Sequence, residues 1–174
     1  VLETPATEVP LSDITSAPIQ KIIKDMQETL AAIDDGVGLA APQVGHGLRI
    51  FIVSKKVLYR NKTKDGEPVD IEELKNIKDL VCINPKIIKA SKTKKWMNGE
   101  GCLSVRWYYG KVYRSINVSL EYYDENGKKQ VRGAGGLLAH IFQHECDHLD
   151  GHLFIDKAKD IEWIEPNQDT EEVQ

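Results

Sequence analysis

Two histidines four residues apart with a glutamate beside the first, in His144-Glu145-Cys146-Asp147-His148, constrain this chain more than any other feature. Residues at that spacing on a helix project from one face, so both imidazoles can reach a single ion. Glu145 can then meet a water on that ion, whose pKa the metal lowers, and collect its proton. A helix is predicted over 137–149, ended by Asp150-Gly151. HExxH strings also arise by chance on ordinary helices, and a catalytic site of this kind usually has three protein ligands plus solvent. The fold has to supply the third ligand from elsewhere in the chain.

Two residues compete for that place. Glu165 lies downstream, as a third ligand does in some zinc proteases. Cys102 sits in Glu100-Gly101-Cys102-Leu103-Ser104, read as a loop whose glycine lets backbone approach an ion closely. A thiolate beside two imidazoles suits zinc or iron. The bland reading of Cys102 is a small buried hydrophobe.

The remainder of the pattern is that of one α+β domain without internal repeats, spanning residues 1–174. Residues 1–12 read as irregular. Ile19, Ile22, Ile23, Met26, Leu30 and Ile33 recur at helical spacing and predict a helix over 14–34, with Gly36 as terminator. A glycine-rich loop follows at 36–45, then a strand over 49–54. The polar stretch 55–79 reads as a surface excursion with a turn at Asp65-Gly66 and a short helix near 71–77. Strand pieces are predicted at 80–83, 86–90, 92–96, 111–114 and 116–123. Asn126-Gly127 is a hairpin signal joining 118–123 to 128–132. A helical turn is expected around 161–164, stopped by Pro166.

Composition excludes several classes. Hydrophobic residues at 41% and charged residues at 29% argue against wholesale disorder. A net charge of −4 carries no nucleic-acid footprint, and no apolar run approaches the ~20 residues of a membrane span. Residues 156–174 form an acidic tail, read as a solubility feature. The lysines at 86, 89, 92, 94 and 95 would suit an RNA-rich neighbour such as a ribosome, but a solvated strand face is the simpler reading. Three cysteines cannot form a full disulfide framework, so reduced thiols are expected. Residues 1–18 lack the basic and apolar regions of a secretory signal, and Val1 in place of Met reads as a trimmed start.

GVGLAAPQVG (36–45), EGCLS (100–104) and QHECDHLDG (143–151) together resemble the three motifs of the peptide deformylases, in the same order. The resemblance runs from Val1-Leu2 through Leu153-Phe154-Ile155-Asp156, and it decides for Cys102 over Glu165. It implies an α+β fold with antiparallel sheets packed around a central helix carrying the HExxH motif. It implies removal of the formyl group from the N-terminal formyl-methionine of nascent polypeptides, by attack of metal-bound water or hydroxide. By similarity Cys102, His144 and His148 bind one divalent ion, ferrous iron in many members and zinc, nickel or cobalt in others. Glu145 is the implied general acid/base, and Gln43 with the backbone N–H of Leu103 are the implied partners of the formyl oxygen. Substrate contacts carry over to Val37, Gly38, Leu39, Gly101, Leu137, His140 and Ile141. A bacterial-type cytoplasm or an organelle, formylated nascent peptides as partners and a transient ribosome association follow from the same likeness.

The chain departs from the family pattern after EGCLS, where an apolar residue, proline and glycine are usual. Here the sequence is Val105-Arg106-Trp107-Tyr108-Tyr109-Gly110. Trp107 or Tyr108 is expected to line the groove downstream of the first substrate residue. The opening before Val1-Leu2 is also missing, which reads as a shortened N-terminal arm. Cys82 and Cys146 are assigned to packing, His46 and His152 to loop and turn, and His140 to the rim of the pocket or the surface.

Overall fold

The computed structural model describes residues 2–60 and 70–165. The chain order is α1 (Ala17–Ala31), β1 (Gly38–Ala40), β2 (Ile50–Val53), α2 (Lys55–Arg60), α3 (Ile71–Asn76), β3 (Leu80–Ala90), β4 (Lys94–Cys102), β5 (Val105–Ser115), β6 (Asn117–Tyr123), β7 (Lys129–Gly135), α4 (Gly136–Leu149) and β8 (Lys159–Trp163). The strands form two antiparallel sheets, one of five strands ordered β1-β2-β3-β6-β7 and one of three ordered β4-β5-β8. This is an α+β architecture.

At β1 and β2 the five-stranded sheet is covered on both faces, and β2 shows why. Its four residues Ile50, Phe51, Ile52 and Val53 are all buried. Alternate side chains of a strand point to opposite faces. Phe51 and Val53 join Leu138, Phe142 and Leu149 of α4, whereas Ile50 and Ile52 join Ile19, Ile23, Met26 and Leu30 of α1. A run of apolar residues without alternation is what a strand buried on two sides requires. Phe51 and Phe142 meet as a tilted ring pair 6.0 Å apart, which fixes α4 against β2.

Several sequence expectations shift. The helix predicted over 14–34 is Ala17–Ala31, begun by Pro18 in its first turn, where a missing N–H costs nothing. The expected loop at 36–45 contains β1 and the 3-10 turn Ala41–Val44. The polar excursion holds α2, which buries Val57, Leu58 and Tyr59. The strand pieces at 80–83 and 86–90 are one strand, irregular where Asn84 takes φ +49. Cys102 ends a strand rather than sitting in a loop. The helical turn near 161–164 is instead β8, paired to β5. The Asn126-Gly127 turn closes β6 on β7 as expected, with Gly127 at φ +77. Asp65-Gly66 and Pro166 lie outside the described residues. Among the described residues, no helix is long and apolar enough to cross a membrane.

Candidate active site

His144, Glu145 and His148 all ride on α4, and Cys102 arrives from the end of β4. Cys102 Sγ lies 3.2 Å from His148 Nε2, which is itself 3.2 Å from His144 Nε2. The three donor atoms fall within 4.8 Å of one another. Glu165, the other candidate third ligand, is exposed beyond β8 and takes no part in this cluster.

The ring of His144 is oriented by Glu100, whose Oε1 accepts from Nδ1 at 2.7 Å and so turns Nε2 toward Cys102 and His148. Glu100 is buried and also accepts from Arg114 Nη2 at 2.5 Å, from Arg114 Nε at 3.1 Å and from His140 Nε2. Arg114 Nη1 then donates to Asp147 Oδ2 at 2.6 Å, and Lys157 Nζ donates to Asp147 Oδ1 at 2.6 Å. Burial works against the Glu100 charge, but His140, His144 and Arg114 outweigh it and hold the carboxyl well below the usual range. The sequence reading gave no role to Glu100 or Arg114, although Glu100 stands inside the EGCLS string. His140, assigned there to the rim or the surface, is half-buried, lines the cavity and is tied to Glu100.

The chemistry of the donor set suits a cation at the cluster. Burial opposes ionisation of Cys102, yet the hydrogen bonds and positive charge of His144 and His148 pull its thiol down to about 5. Burial disfavours a charged His144, and Cys102 with Glu100 overcome this and raise it to about 10. A thiolate therefore faces an imidazole that holds a proton a cation can displace. His148 Nδ1 and Glu145 Oε2 are buried without a hydrogen-bond partner. A thiolate and two imidazoles form a donor set for a divalent transition metal, so the residues fit such an ion.

Glu145 lies almost fully buried at a cavity of about 240 Å³. Burial pushes its carboxyl up, with His144 and His148 pulling the other way, so it is a group able to carry a proton. Gly38 of β1 comes so close that a Cβ there would stand 2.5 Å from Glu145 Oε1. A methyl group there would displace the Glu145 carboxylate.

Gln43 joins local backbone to the cluster. Its Oε1 accepts from Ala40 N–H at 2.8 Å, tying down backbone, and this aims Nε2 at Cys102 Sγ (3.5 Å) and Ser104 Oγ (3.1 Å). Val37, Gly38, Gly101, Leu103, Leu137, His140 and Ile141 line the same cavity, as do Arg106, Trp107, Tyr108 and Tyr109. Leu39 is buried in β1 and packs with the α1 side of the sheet, away from the cavity lining. Gly101 is required where it stands, because a Cβ would lie 2.7 Å from the Tyr109 ring. Cys82 and Cys146 are buried within the core, and burial raises the Cys146 thiol to about 12.

Known proteins resemble the chain throughout. The family model described as polypeptide deformylase matches residues 1–163. A peptide deformylase of Roseiflexus sp. (strain RS-1) is 42% identical over 144 residues, covering 82% of this chain and 75% of the relative. Peptide deformylase 1A, chloroplastic/mitochondrial, of Arabidopsis thaliana is 41% identical over 157 residues, which are 90% of this chain and 57% of that longer protein. A solved peptide deformylase of Synechococcus elongatus in complex with actinonin superposes with a TM-score of 0.72 at 35% identity. That match covers 91% of this chain and 74% of the other.

Proposed function

The chain belongs to the peptide deformylase family, and from that premise we propose that it removes the formyl group from formyl-methionyl nascent polypeptides at the Cys102–His144–His148 cluster. The observation that carries the reading is the convergence of Cys102 Sγ and two Nε2 atoms beside a buried glutamate with an unpartnered oxygen. Cys102, His144 and His148 are the ligands in this account, Glu145 the general acid/base, and Gln43 with the Leu103 N–H the partners of the formyl oxygen. Residues 1–174 are read as one catalytic domain with an acidic tail at 156–174, built around α4.

The residues divide the work by chemistry. Val37, Leu137, His140 and Ile141 receive the first side chain, with two apolar groups of α4 flanking the imidazole. Gly38 and Leu39 offer the edge of β1, the outermost strand of its sheet, for backbone pairing with the peptide. Gly101 faces it across the cavity. Cys102, His144 and His148 would hold a divalent cation, which would supply polarisation of the formyl oxygen and a lowered pKa for a water beside Glu145. Gln43, its carbonyl already committed to Ala40, has amide hydrogens left for charge that develops on the formyl oxygen. Glu145 takes the water proton as the new C–O bond forms and delivers it to the amide nitrogen as the C–N bond breaks. Formate and a free N-terminal amine leave. Ferrous iron is the native ion in this reading, with zinc, nickel or cobalt as substitutes, and a bacterial cytoplasm or organelle with a transient ribosome contact is the setting.

The test is release of formate from formyl-Met-Ala-Ser by protein loaded anaerobically with iron, nickel or zinc. Formate and Met-Ala-Ser are expected. Glu145→Gln should keep metal stoichiometry and lose ~10²–10⁴ in kcat. Cleavage after methionine, or no formate from any loaded form, would contradict the reading.

A further inference from the structure

Beside Cys102 the hairpin of β4 and β5 contains an irregularity that no metal chemistry requires. Cys102 pairs with Val105, and Gly101 pairs with Tyr109. No residue intervenes on β4, so Arg106, Trp107 and Tyr108 bulge out of β5 as three unopposed residues. At the centre of the bulge Trp107 takes φ +71, a left-handed conformation that a bulky side chain rarely adopts. Strain of this kind persists only where the surroundings impose it.

The imposing element is β8. Tyr108 pairs with Trp163, Tyr109 pairs with Glu162, and Ile164 N–H donates to the Trp107 carbonyl at 2.8 Å. The C-terminal strand therefore clamps the bulge from behind. The side chains of the bulge line the cavity that holds Cys102, His144 and Glu145, and Asp35, Gly36 and Val37 line it too. Trp107 is 37% exposed and Tyr108 45% exposed, so each offers ring surface that packing within the chain has not consumed. A peptide laid along β1 with its first side chain near Leu137 and Ile141 brings its next residues into the cavity that the bulge also lines.

We propose that the Arg106-Trp107-Tyr108 bulge is a specificity-determining wall that selects aromatic side chains at the second and third positions of the peptide. The proposal rests on the formyl-peptide reading of the cavity. Aromatic pairs gain beyond simple area burial, and the rings cost little conformational entropy because β8 already holds their backbone. Leu137, His140 and Ile141, assigned to the first side chain, line the same cavity but belong to α4 and not to the bulge.

Two measurements on the metal-loaded full chain test this. One is the ratio of kcat/KM for formyl-Met-Phe-Phe amide to that for formyl-Met-Ala-Ala amide. The other is the corresponding ratio of Kd for the deformylated peptides by calorimetry, which needs no turnover. Each should favour the aromatic peptide about 3- to 10-fold. Trp107→Gly suits the left-handed backbone and should bring both ratios close to one, with Tyr108→Ala reducing them in part. Thermal melts report whether each variant is folded, and the Tyr108→Ala ratio decides if the glycine variant is not. A wild-type ratio near one, or ratios unchanged in the folded variants, overturns the wall. Absent turnover with the Kd ratio intact and sensitive to Trp107 leaves the wall standing and counts against the deformylase reading instead.

Discussion

Each oxygen of the Glu100 carboxylate is held by two donors, Oε1 by His144 and Arg114 and Oε2 by Arg114 and His140. A buried charge is tolerable only when paired and hydrogen-bonded in this way, and removing one partner of such a pair typically costs ~3–5 kcal/mol. Glu100→Gln keeps the shape but removes the charge that the guanidinium and the His144 N–H need. It should lower stability by about that range in denaturant titrations and weaken metal affinity about 10–100-fold, as loss of a ligand's orienting partner does. A pH dependence follows. Because folding depresses the Glu100 pKa from its ordinary 4.5, its stabilisation is complete above that value and drains away as pH falls toward the folded value. The Gln variant should therefore lose less stability than the parent between neutral pH and acid, and parallel curves would sink the idea. Gln43 acts differently. Gln43→Leu should spare metal content and reduce kcat by ~10²–10³, the usual effect of deleting one donor to a developing oxyanion; an unchanged kcat would return Gln43 to a purely structural role.

At the scale of elements, the site depends on β1 lying against α4. Gly38→Ala would press a methyl group onto Glu145 Oε1 and Ile141 Cγ2. Displacing a reacting group by about 1 Å can cost ~10²-fold, so kcat should fall by that order while the thermal midpoint changes little. A midpoint that collapses with activity would mean the glycine serves the fold alone. Elements were legible where a local signal existed. The spacing on α1 and α4 and the Asn126-Gly127 turn each announced themselves. α2 did not, because six residues are too few to show a period, although Ser54 Oγ accepts from Lys56 N–H at its start. Ile161 and Trp163 of β8, with Ile164 just after it, stand at spacings that suit a helical turn, and only pairing to β5 makes β8 a strand. The clustering of Cys102, His144 and His148 was readable through three ordered motifs. The Glu100–Arg114–Asp147 network was not, because side chains that meet across 14 and 33 residues leave no periodic trace.

Across the whole molecule, the cluster stands where the two sheets meet. Cys102 belongs to the three-stranded sheet, whereas both histidines sit on a helix packed against the five-stranded one. A cation held by all three would join the sheets, as the Glu100–His144 bond and the Arg114–Asp147 pair already do. Metal removal should therefore leave the fold intact while lowering stability, by about 2.7 kcal/mol relative to metal at 100 times its Kd. Hydrogen exchange should quicken in β4 and β5 on chelation and stay unchanged in β2, whose residues are buried on both faces. Uniform quickening throughout would show that the ion holds the entire fold rather than one junction.

X-ray absorption at the metal edge of the loaded protein tests the central claim most directly. A sulfur donor near 2.3 Å and two imidazole nitrogens near 2.0–2.1 Å are expected for zinc, roughly as in other sites of this ligand type. The sulfur contribution should vanish in Cys102→Ser. A spectrum with no sulfur, or one unchanged by that substitution, would contradict the account.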